Sequence, residues 1–159
     1  MRTIGITGHQ ALPDAVGTEV DARIRRQLAA RDEPVHGVTC LADGADQIFA
    51  RAVLDTGGHI TVIVPAARYR DGLAEHARLS YDELLARAGS VHRLHHIEST
   101  EQSHMDASTT MLGRIDELWA VWDGQPARGY GGTADVVALA REHAVPVTVF
   151  WPEGASRDR

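Results

Sequence analysis

The sequence has 159 residues, of which 43% are hydrophobic and 24% charged, and a formal net charge of −6. This length and composition predict one globular domain, and the single cysteine excludes an internal disulfide framework. Asp and Glu number 22 against 16 Lys and Arg. This argues against long nucleic acid as a partner, because binding to a phosphate backbone depends on many cationic contacts. The N-terminus lacks a signal peptide pattern, and no apolar run approaches the roughly 20 residues that cross a bilayer. We therefore expect a cytoplasmic protein without membrane contact.

The first half of the chain alternates between strand and helix patterns. In chain order, strands are predicted over residues 3–7, 35–40 and 59–65, and helices over residues 14–30 and 43–58. The first helix has a single apolar stripe of residues four apart, namely Val16, Val20, Ile24 and Leu28. In the second helix, Asp43 is the expected N-cap and Gly57 the expected C-terminal glycine. The third strand is apolar without alternation, which is typical of burial on both faces of a parallel sheet.

The second half continues the alternation. Helices are predicted over residues 72–89, 98–115 and 131–144, and strands over residues 90–94, 117–122 and 145–150. The helix over 98–115 is predicted to direct four residues inwards: Met105, Thr109, Leu112 and Ile115. The whole pattern predicts an α/β protein, a single Rossmann-like three-layer domain over residues 1–151. Its mainly parallel sheet has about six strands with helices on both faces. A flexible tail over residues 152–159 follows, because it lacks apolar residues.

Ligands of such folds bind beyond the carboxyl ends of the strands, so the strand-to-helix junctions are the places to look for a site. The first junction, GITGHQALPD, brings Gly8 and His9 to this edge. Its glycine spacing differs from the dinucleotide motif G-x-G-x-x-G, which argues against NAD or FAD. The second junction, LADGADQ, contains Asp43, Gly44 and Asp46. These residues are explained equally by helix capping and by a carboxylate that orients a ribose or a water.

The third junction, GYGGTADVV, favours a binding function. Gly131, Gly132 and Thr133 lead directly into a helix whose first amide groups lack intrahelical partners. Such a helix start carries a partial positive charge and binds phosphate. Thr133 either caps the helix or donates to a phosphate oxygen, and Asp135 lies in the first helical turn.

Other polar residues have simpler explanations beside functional ones. Asp123, at the end of the fifth strand, either holds ribose hydroxyls or begins a turn. Arg114, at the end of the fourth helix, either contacts an anion or offsets the negative helix end. The histidines at 92, 95, 96 and 104 fit no metal-binding spacing, so no metal is predicted. Cys40 is read as a small buried residue rather than a nucleophile.

The order of GITGHQ, GADQIFARAVL, TTMLGRIDELWAVWDG and GYGGTADVV resembles the SLOG superfamily of Rossmann-like nucleotide-binding proteins. This group includes the Lonely Guy phosphoribohydrolases, the molybdenum-cofactor carrier proteins and the DNA-processing protein A domain. The resemblance spans residues 2–151. It is best in GYGGTADVV, which is similar to the pattern Pro-Gly-Gly-x-Gly-Thr-x-Glu-Glu. The segment GADQIFARAVL is similar to a helix of the DNA-processing proteins.

The resemblance implies a pocket for a nucleotide or its derivative. Gly132 and Thr133 match the Gly-Thr pair that contacts phosphate, and Arg114 falls at the arginine of the hydrolases. Asp135 falls at their catalytic glutamate but is one methylene shorter, and a misplacement near 1 Å can cost about a hundredfold in rate. A looser similarity to nucleoside deoxyribosyltransferases makes Asp123, Thr133 and Asp135 the counterparts of that group's site residues.

Two functions follow as hypotheses. The favoured one is a nucleotide-binding sensor or carrier without a cofactor, in which the three junctions form a backbone cradle. The alternative is a nucleoside-monophosphate N-glycosidase in which Asp135 stabilises an oxocarbenium-like transition state, with Asp43 or Asp46 as a second carboxylate. The residues leave open whether any reaction is catalysed. The apolar residues of the fourth helix are compatible with a homodimer.

Overall fold

Six parallel strands form one sheet in the order β4-β3-β2-β1-β5-β6 in the computed structural model, which describes residues 1–157. The strands are β1 (Thr3–Gly8), β2 (His36–Thr39), β3 (His59–Ala66), β4 (Ser90–His96), β5 (Glu117–Val121) and β6 (Val147–Phe150). The helices are α1 (Asp14–Ala29), α2 (Ala45–Asp55), α3 (Glu75–Ala86), α4 (Glu101–Leu112) and α5 (Thr133–Glu142), with a 3₁₀ turn at Arg70–Gly72. The predicted α/β class is confirmed.

The helices cover both faces of the sheet, so the core has two parts. Apolar residues of α1, α2 and α3 pack with β1, β3, β5 and β6 on one face, and those of α4 and α5 pack with β2, β3 and β5 on the other. The predicted stripe of α1 is buried along its whole length. Strand β3 is buried at every residue after His59, as its unbroken apolar run predicts.

Two helices differ from their predicted details. The N-cap of α2 is Gly44 and not Asp43, because the backbone there has a φ of +86°, which favours glycine. Gly57 ends the same helix with a φ of +88°, as predicted. In α4, Thr109 is exposed and Ile115 lies beyond the helix end. Met111 takes the buried position instead, because the face of α4 that packs in the core contains Ala107, Met111 and Leu112. A capping box between Thr100 and Ser103 begins the helix.

The strand order reverses at β1, which defines where a ligand site lies. The chain moves outward from β1 through β2 and β3 to β4, then returns to place β5 on the other side of β1. In parallel α/β sheets, the crevice at the carboxyl ends of such a strand pair binds ligands. Among the described residues, no helix is both long and apolar enough to cross a membrane.

Candidate functional site

A cavity of about 540 Å³ opens at the carboxyl ends of β1 and β5. Its walls come from the loops after β1, β2 and β3, from the first half of α4, from the loop before α5 and from the end of the chain. The polar and charged side chains among its lining residues are Thr7, His9, Gln10, Cys40, Asp46, Tyr69, Ser99, Glu101, His104, Ser108, Arg128, Tyr130, Thr133 and Arg157. The three predicted junctions therefore do meet at one place.

Gly8 and Gly44 allow the first two junctions to touch. A Cβ on Gly8 would collide with the Cβ of Ala45 and lie 2.8 Å from that of Val121. A Cβ on Gly44 would lie 2.6 Å from the carbonyl oxygen of His9. The backbone amide of Ala45 donates to that same oxygen at 3.3 Å. Both glycines are thus required for close packing of the protein on itself, and only Gly8 lines the cavity.

Two carboxylates hold the Gly-rich loop before α5. The Tyr130 amide donates to Glu101 Oε2 at 2.9 Å, and the Gly131 amide donates to Asp135 Oδ2 at 3.0 Å. The Gly132 amide donates to the Gly129 carbonyl oxygen at 3.2 Å. These three amides already have protein partners. The expected cradle of free loop amides is therefore not what the structure contains.

The amides that remain available lie at the start of α5. Gly132 is the N-cap, so Thr133 is the first helical residue and does not cap the helix with its side chain. Within residues 1–157, the amides of Thr133 and Ala134 donate to no protein atom. The Thr133 hydroxyl lies 3.4 Å from His9 Nδ1. The anion-attracting element is thus the first turn of α5, with its partial positive charge.

Asp135 has a structural role that the sequence analysis did not assign to it. Its carboxylate accepts from the Gly131 amide, and the residue does not line the cavity. The prediction that Asp135 is a catalytic carboxylate beside the ligand is therefore corrected. The favourable position of an acidic residue in a helical first turn accounts for Asp135.

His9, Asp123 and Arg157 form a cluster at the cavity wall. His9 Nε2 accepts from the Asp123 amide at 3.1 Å, and Arg157 Nη1 lies 3.1 Å from His9 Nδ1. Burial, and then the charge of Arg157, lowers the pKa of His9, which favours the neutral imidazole. Burial raises the pKa of Asp123, but the Gln125 amide, His9 and Arg157 outweigh it, so the pKa is lowered overall. Asp123 is therefore an anchored, ionised carboxylate that also begins a turn.

Arg157 belongs to the segment 151–157, called the C-terminal strap here. The Trp151 indole donates to the Ala155 carbonyl oxygen at 3.2 Å, and Arg23 of α1 donates to the Trp151 carbonyl oxygen at 3.4 Å. The Trp151 ring meets the His9 ring edge-on, with centroids 5.4 Å apart. The strap covers most of the predicted flexible tail, whose residues 158 and 159 lie outside the described residues. It supplies a cation to the cavity that the sequence analysis missed.

Asp46, Tyr69, Cys40 and His104 line the end of the cavity beneath β2 and β3. Burial raises the pKa of Asp46 to about 7, although the Ala42 amide donates to its Oδ2 at 3.2 Å. Burial, and then the charge of Asp46, also raises the pKa of the Cys40 thiol, so it stays protonated. Of the two predicted aspartates at this junction, Asp46 lines the cavity. Asp43 instead lies outside it, 3.1 Å from His76 Nε2.

Solved structures with the same fold were found, whereas the sequence matches no family model and no curated protein. DNA processing protein A from Streptococcus pneumoniae is similar over 98% of this chain, with a TM-score of 0.69 and 15% identity. This chain spans 52% of that protein's length. The Helicobacter pylori protein of the same name has a TM-score of 0.72 at 14% identity, covering 99% of this chain and 68% of its own. The molybdenum cofactor binding protein of Rippkaea orientalis has a TM-score of 0.58 at 14% identity, covering 93% and 75%.

This chain shares the fold of DNA processing protein A and of the molybdenum cofactor binding protein. The superfamily resemblance is thereby confirmed at the level of the fold, which is what identities of this size show.

The prediction that long nucleic acid is not a partner was deduced from the net charge, and it is wrong. The solved structure of the H. pylori protein, which shares the fold of this chain, describes a single-stranded DNA binding mode. Net charge averages over the whole surface, whereas binding depends on local charge. Here Arg128 and Arg157 place two cations at one cavity although the chain carries a net charge of −6.

Arg114 is separated from the cavity, because it does not belong to its lining residues. It lies beyond the end of α4, exposed, with Nη2 3.4 Å from His92 Nδ1. Its neighbour Asp116 donates its amide to the Thr3 carbonyl oxygen at the start of β1, which is the opposite edge of the sheet. Arg114 therefore takes no part in this site. In the part of the chain that the structure describes, no three His, Cys, Asp or Glu side chains form a group that could hold a metal ion.

The missed residues lacked a sequence signal. Arg128 and Arg157 stand in irregular segments, and Tyr69 lies in the connection between β3 and α3. None of them belongs to a periodic pattern or a short motif. Only the topology of the sheet brings them to the same cavity.

Proposed function

We propose that this protein binds a small anionic ligand of the nucleotide type, as a sensor or carrier, with a phosphate at the start of α5. One observation carries the proposal. Thr133, whose amide has no protein acceptor among the described residues, lines a cavity that Arg128 and Arg157 also line. The volume of about 540 Å³ is in the range of small-molecule sites.

The charges around the helix start support an anion. The first turn of α5 contributes aligned amide dipoles, and guanidinium groups bind phosphate with two parallel hydrogen bonds. The carboxylates of Glu101 and Asp135 lie nearby, but each accepts from a loop amide. Their negative charge is thereby partly offset where the phosphate would bind.

Binding is proposed here rather than cleavage of an N-glycosidic bond. Cleavage through Asp135 requires its carboxylate to reach the sugar, and the structure holds that group against Gly131 outside the cavity. The name of one fold neighbour, a molybdenum cofactor binding protein, also describes binding of a small molecule.

Isothermal titration calorimetry with AMP, GMP and inorganic phosphate tests the proposal. We expect Arg157→Ala to weaken nucleotide binding by about tenfold or more, because charged hydrogen bonds of this kind are worth about 1.5–3 kcal/mol. Arg26→Ala is the matched control, since Arg26 is exposed on α1 away from the cavity. Absence of binding by any mononucleotide at millimolar concentration would overturn the proposal.

A single-stranded oligodeoxythymidine is the second ligand to titrate, because one fold neighbour binds single-stranded DNA. Nucleic-acid affinity falls steeply with salt, in proportion to the number of phosphates neutralised. If the oligonucleotide binds more tightly than GMP, and with a steep salt dependence, a nucleic-acid function replaces the small-ligand one.

A further inference from the structure

The hydroxyl group of Tyr69 lies at the end of the cavity next to β2 and β3, called the deep end here, and makes no hydrogen bond to the described residues. The residue is only 5% exposed and lines the cavity, and its hydroxyl has no hydrogen-bond partner among the described residues. Within residues 1–157, the only fully buried side-chain polar atom without a partner is Arg31 Nε. The Tyr69 oxygen is therefore not sealed in the core but reaches the cavity. The hydroxyl is therefore available to hydrogen-bond to a molecule that occupies the cavity.

Asp46 offers acceptors beside this hydroxyl. It is 7% exposed, lines the same cavity and uses Oδ2 to accept from the Ala42 amide at 3.2 Å. The Cys40 backbone amide also interacts with this carboxylate. An ionised carboxylate has about four acceptor positions, so about half of them remain for a ligand. Cys40, Asp46 and Tyr69 all line this cavity, and they follow the carboxyl ends of the neighbouring strands β2 and β3. Burial raises the pKa of Tyr69, so its hydroxyl stays protonated and able to donate.

The surroundings of these two groups are flat and apolar. Pro65 and Leu73 line this end, and the His104 ring meets the Tyr69 ring edge-on with centroids 5.7 Å apart. The His104 Nε2 atom is 2.8 Å from Ser99 Oγ, so its polar edge is already engaged. The arginines Arg128 and Arg157 belong to the other end, beyond β1. A planar, uncharged ring system fits such an environment better than a second anionic group does.

We infer that this deep end is a base subsite that selects guanine, a ring system with an amino group, a ring N–H and a carbonyl group on one edge. This inference rests on the proposed function, since the same molecule places its phosphate at α5. The Asp46 carboxylate accepts from the ring N–H and the amino group, and the Tyr69 hydroxyl donates to the ring carbonyl oxygen. Adenine presents a ring nitrogen lone pair to Asp46 where guanine presents an N–H, so the site disfavours adenine.

Calorimetric titration of the full chain with GMP, IMP and AMP at pH 8, where Asp46 is ionised, tests the base subsite. We expect GMP to bind at least about tenfold more tightly than AMP, because a mismatched base leaves buried polar groups unpaired. IMP lacks only the amino group and is expected to fall between the two. Asp46→Asn replaces one acceptor by a donor and is expected to bring the ratio of the GMP and AMP affinities close to one.

The contribution of the Tyr69 hydroxyl to GMP binding is isolated by comparing Tyr69→Phe with Tyr81→Phe. Tyr81 packs against Tyr69 with ring centroids 5.9 Å apart and is 3% exposed, but it does not line the cavity. We expect Tyr69→Phe to weaken GMP binding about fivefold and Tyr81→Phe to leave it unchanged. Equal weakening by both variants would assign the effect to packing and overturn the subsite.

The outcomes separate the two proposals. If the wild-type protein binds AMP, GMP and IMP with equal affinity, the base subsite is overturned while nucleotide binding stands. If none of the three binds, the proposed function itself fails. If GMP is preferred and Tyr69→Phe reduces that preference in a variant with an unchanged melting temperature, the subsite is supported.

Discussion

At the scale of single residues, Asp46 is the most perturbed carboxyl of the cavity. Burial raises its pKa from 3.8 to about 7, and the Ala42 amide offsets only part of that effect. A folded-state pKa above the unfolded value means that the folded protein holds the proton more tightly. The free energy of unfolding therefore falls as the pH rises from about 4 to about 7.

Asp46→Asn is expected to stabilise the protein above pH 7, because the variant has no charge to bury. Its gain in the free energy of unfolding grows through the window from about pH 4 to 7 and reaches about 2–4 kcal/mol. Urea denaturation at pH 4 and pH 8 measures it. Asp82→Asn is the control: Arg70 lowers the pKa of this exposed carboxylate, so the change has the opposite sign. A gain that does not vary with pH would contradict the buried titration.

At the scale of elements, the junction between β2 and α2 depends on one glycine. Gly44 has a φ of +86° and a ψ of −123°, and its Cα faces the backbone of the loop after β1. A side chain there meets backbone atoms, which have little room to move. The cavity wall formed by this loop is therefore built on close backbone packing.

Gly44→Ala is expected to cost about 3 kcal/mol or more of stability, because it combines an unfavourable φ with a collision. Gly57→Ala is the matched control. It has a similar φ of +88°, but its nearest atom would lie 3.8 Å from the new Cβ, so only about 1 kcal/mol is lost. Chemical denaturation compares the two. If Gly44→Ala and Gly57→Ala lowered the free energy of unfolding equally, the loops after β1 and β2 would be able to move apart without an energetic cost.

Hydrophobic patterns made the elements predictable, and the lack of such patterns explains the misses. The apolar stripe of α1 and the unbroken apolar run of β3 contain the residues that these elements bury. Their spacing is visible in the sequence and predicts both elements. The cap at Gly44 depends on a neighbouring loop, which no local pattern encodes. The predicted α4 face was correct at Met105 and Leu112 but wrong at Thr109, which is exposed and whose hydroxyl donates to the Met105 carbonyl oxygen of its own helix.

At the scale of the whole molecule, both ends of the sequence contribute to one site. His9 follows the first strand, and Arg157 follows the last one, yet their side chains lie 3.1 Å apart. Proximity of this kind follows from the sheet order, in which β1 and β5 are neighbours and β6 is next to β5. The predicted junctions at Thr133 and Asp123 were found from motifs. The arginine could not be found, because a polar tail carries no structural pattern.

Arg157→Met is expected to raise the pKa of His9, because it removes a cation and keeps the aliphatic stem. Burial is the largest cause of the lowered pKa of His9, and the charge of Arg157 is the second largest. The charge of Arg128 is the smallest of the causes. Arg128→Met is therefore the control and is expected to shift the pKa less. Titration of the His9 ring protons by NMR measures both.

The same substitution has a consequence for stability. Because the folded pKa of His9 lies below 6.5, the wild-type protein loses stability as the pH falls below that value. Arg157→Met is expected to reduce that loss. An unchanged titration would place the Arg157 guanidinium away from His9 in solution.

The two carboxylates on the Gly-rich loop determine how a ligand meets this site. Glu101 of α4 and Asp135 of α5 hold the amides of Tyr130 and Gly131 from opposite sides. A loop that is already held loses little conformational entropy when a ligand arrives, so less of the interaction energy is offset by ordering. Such a preorganised wall favours binding without rearrangement, in which related ligands associate at similar rates and differ mainly in how long they stay.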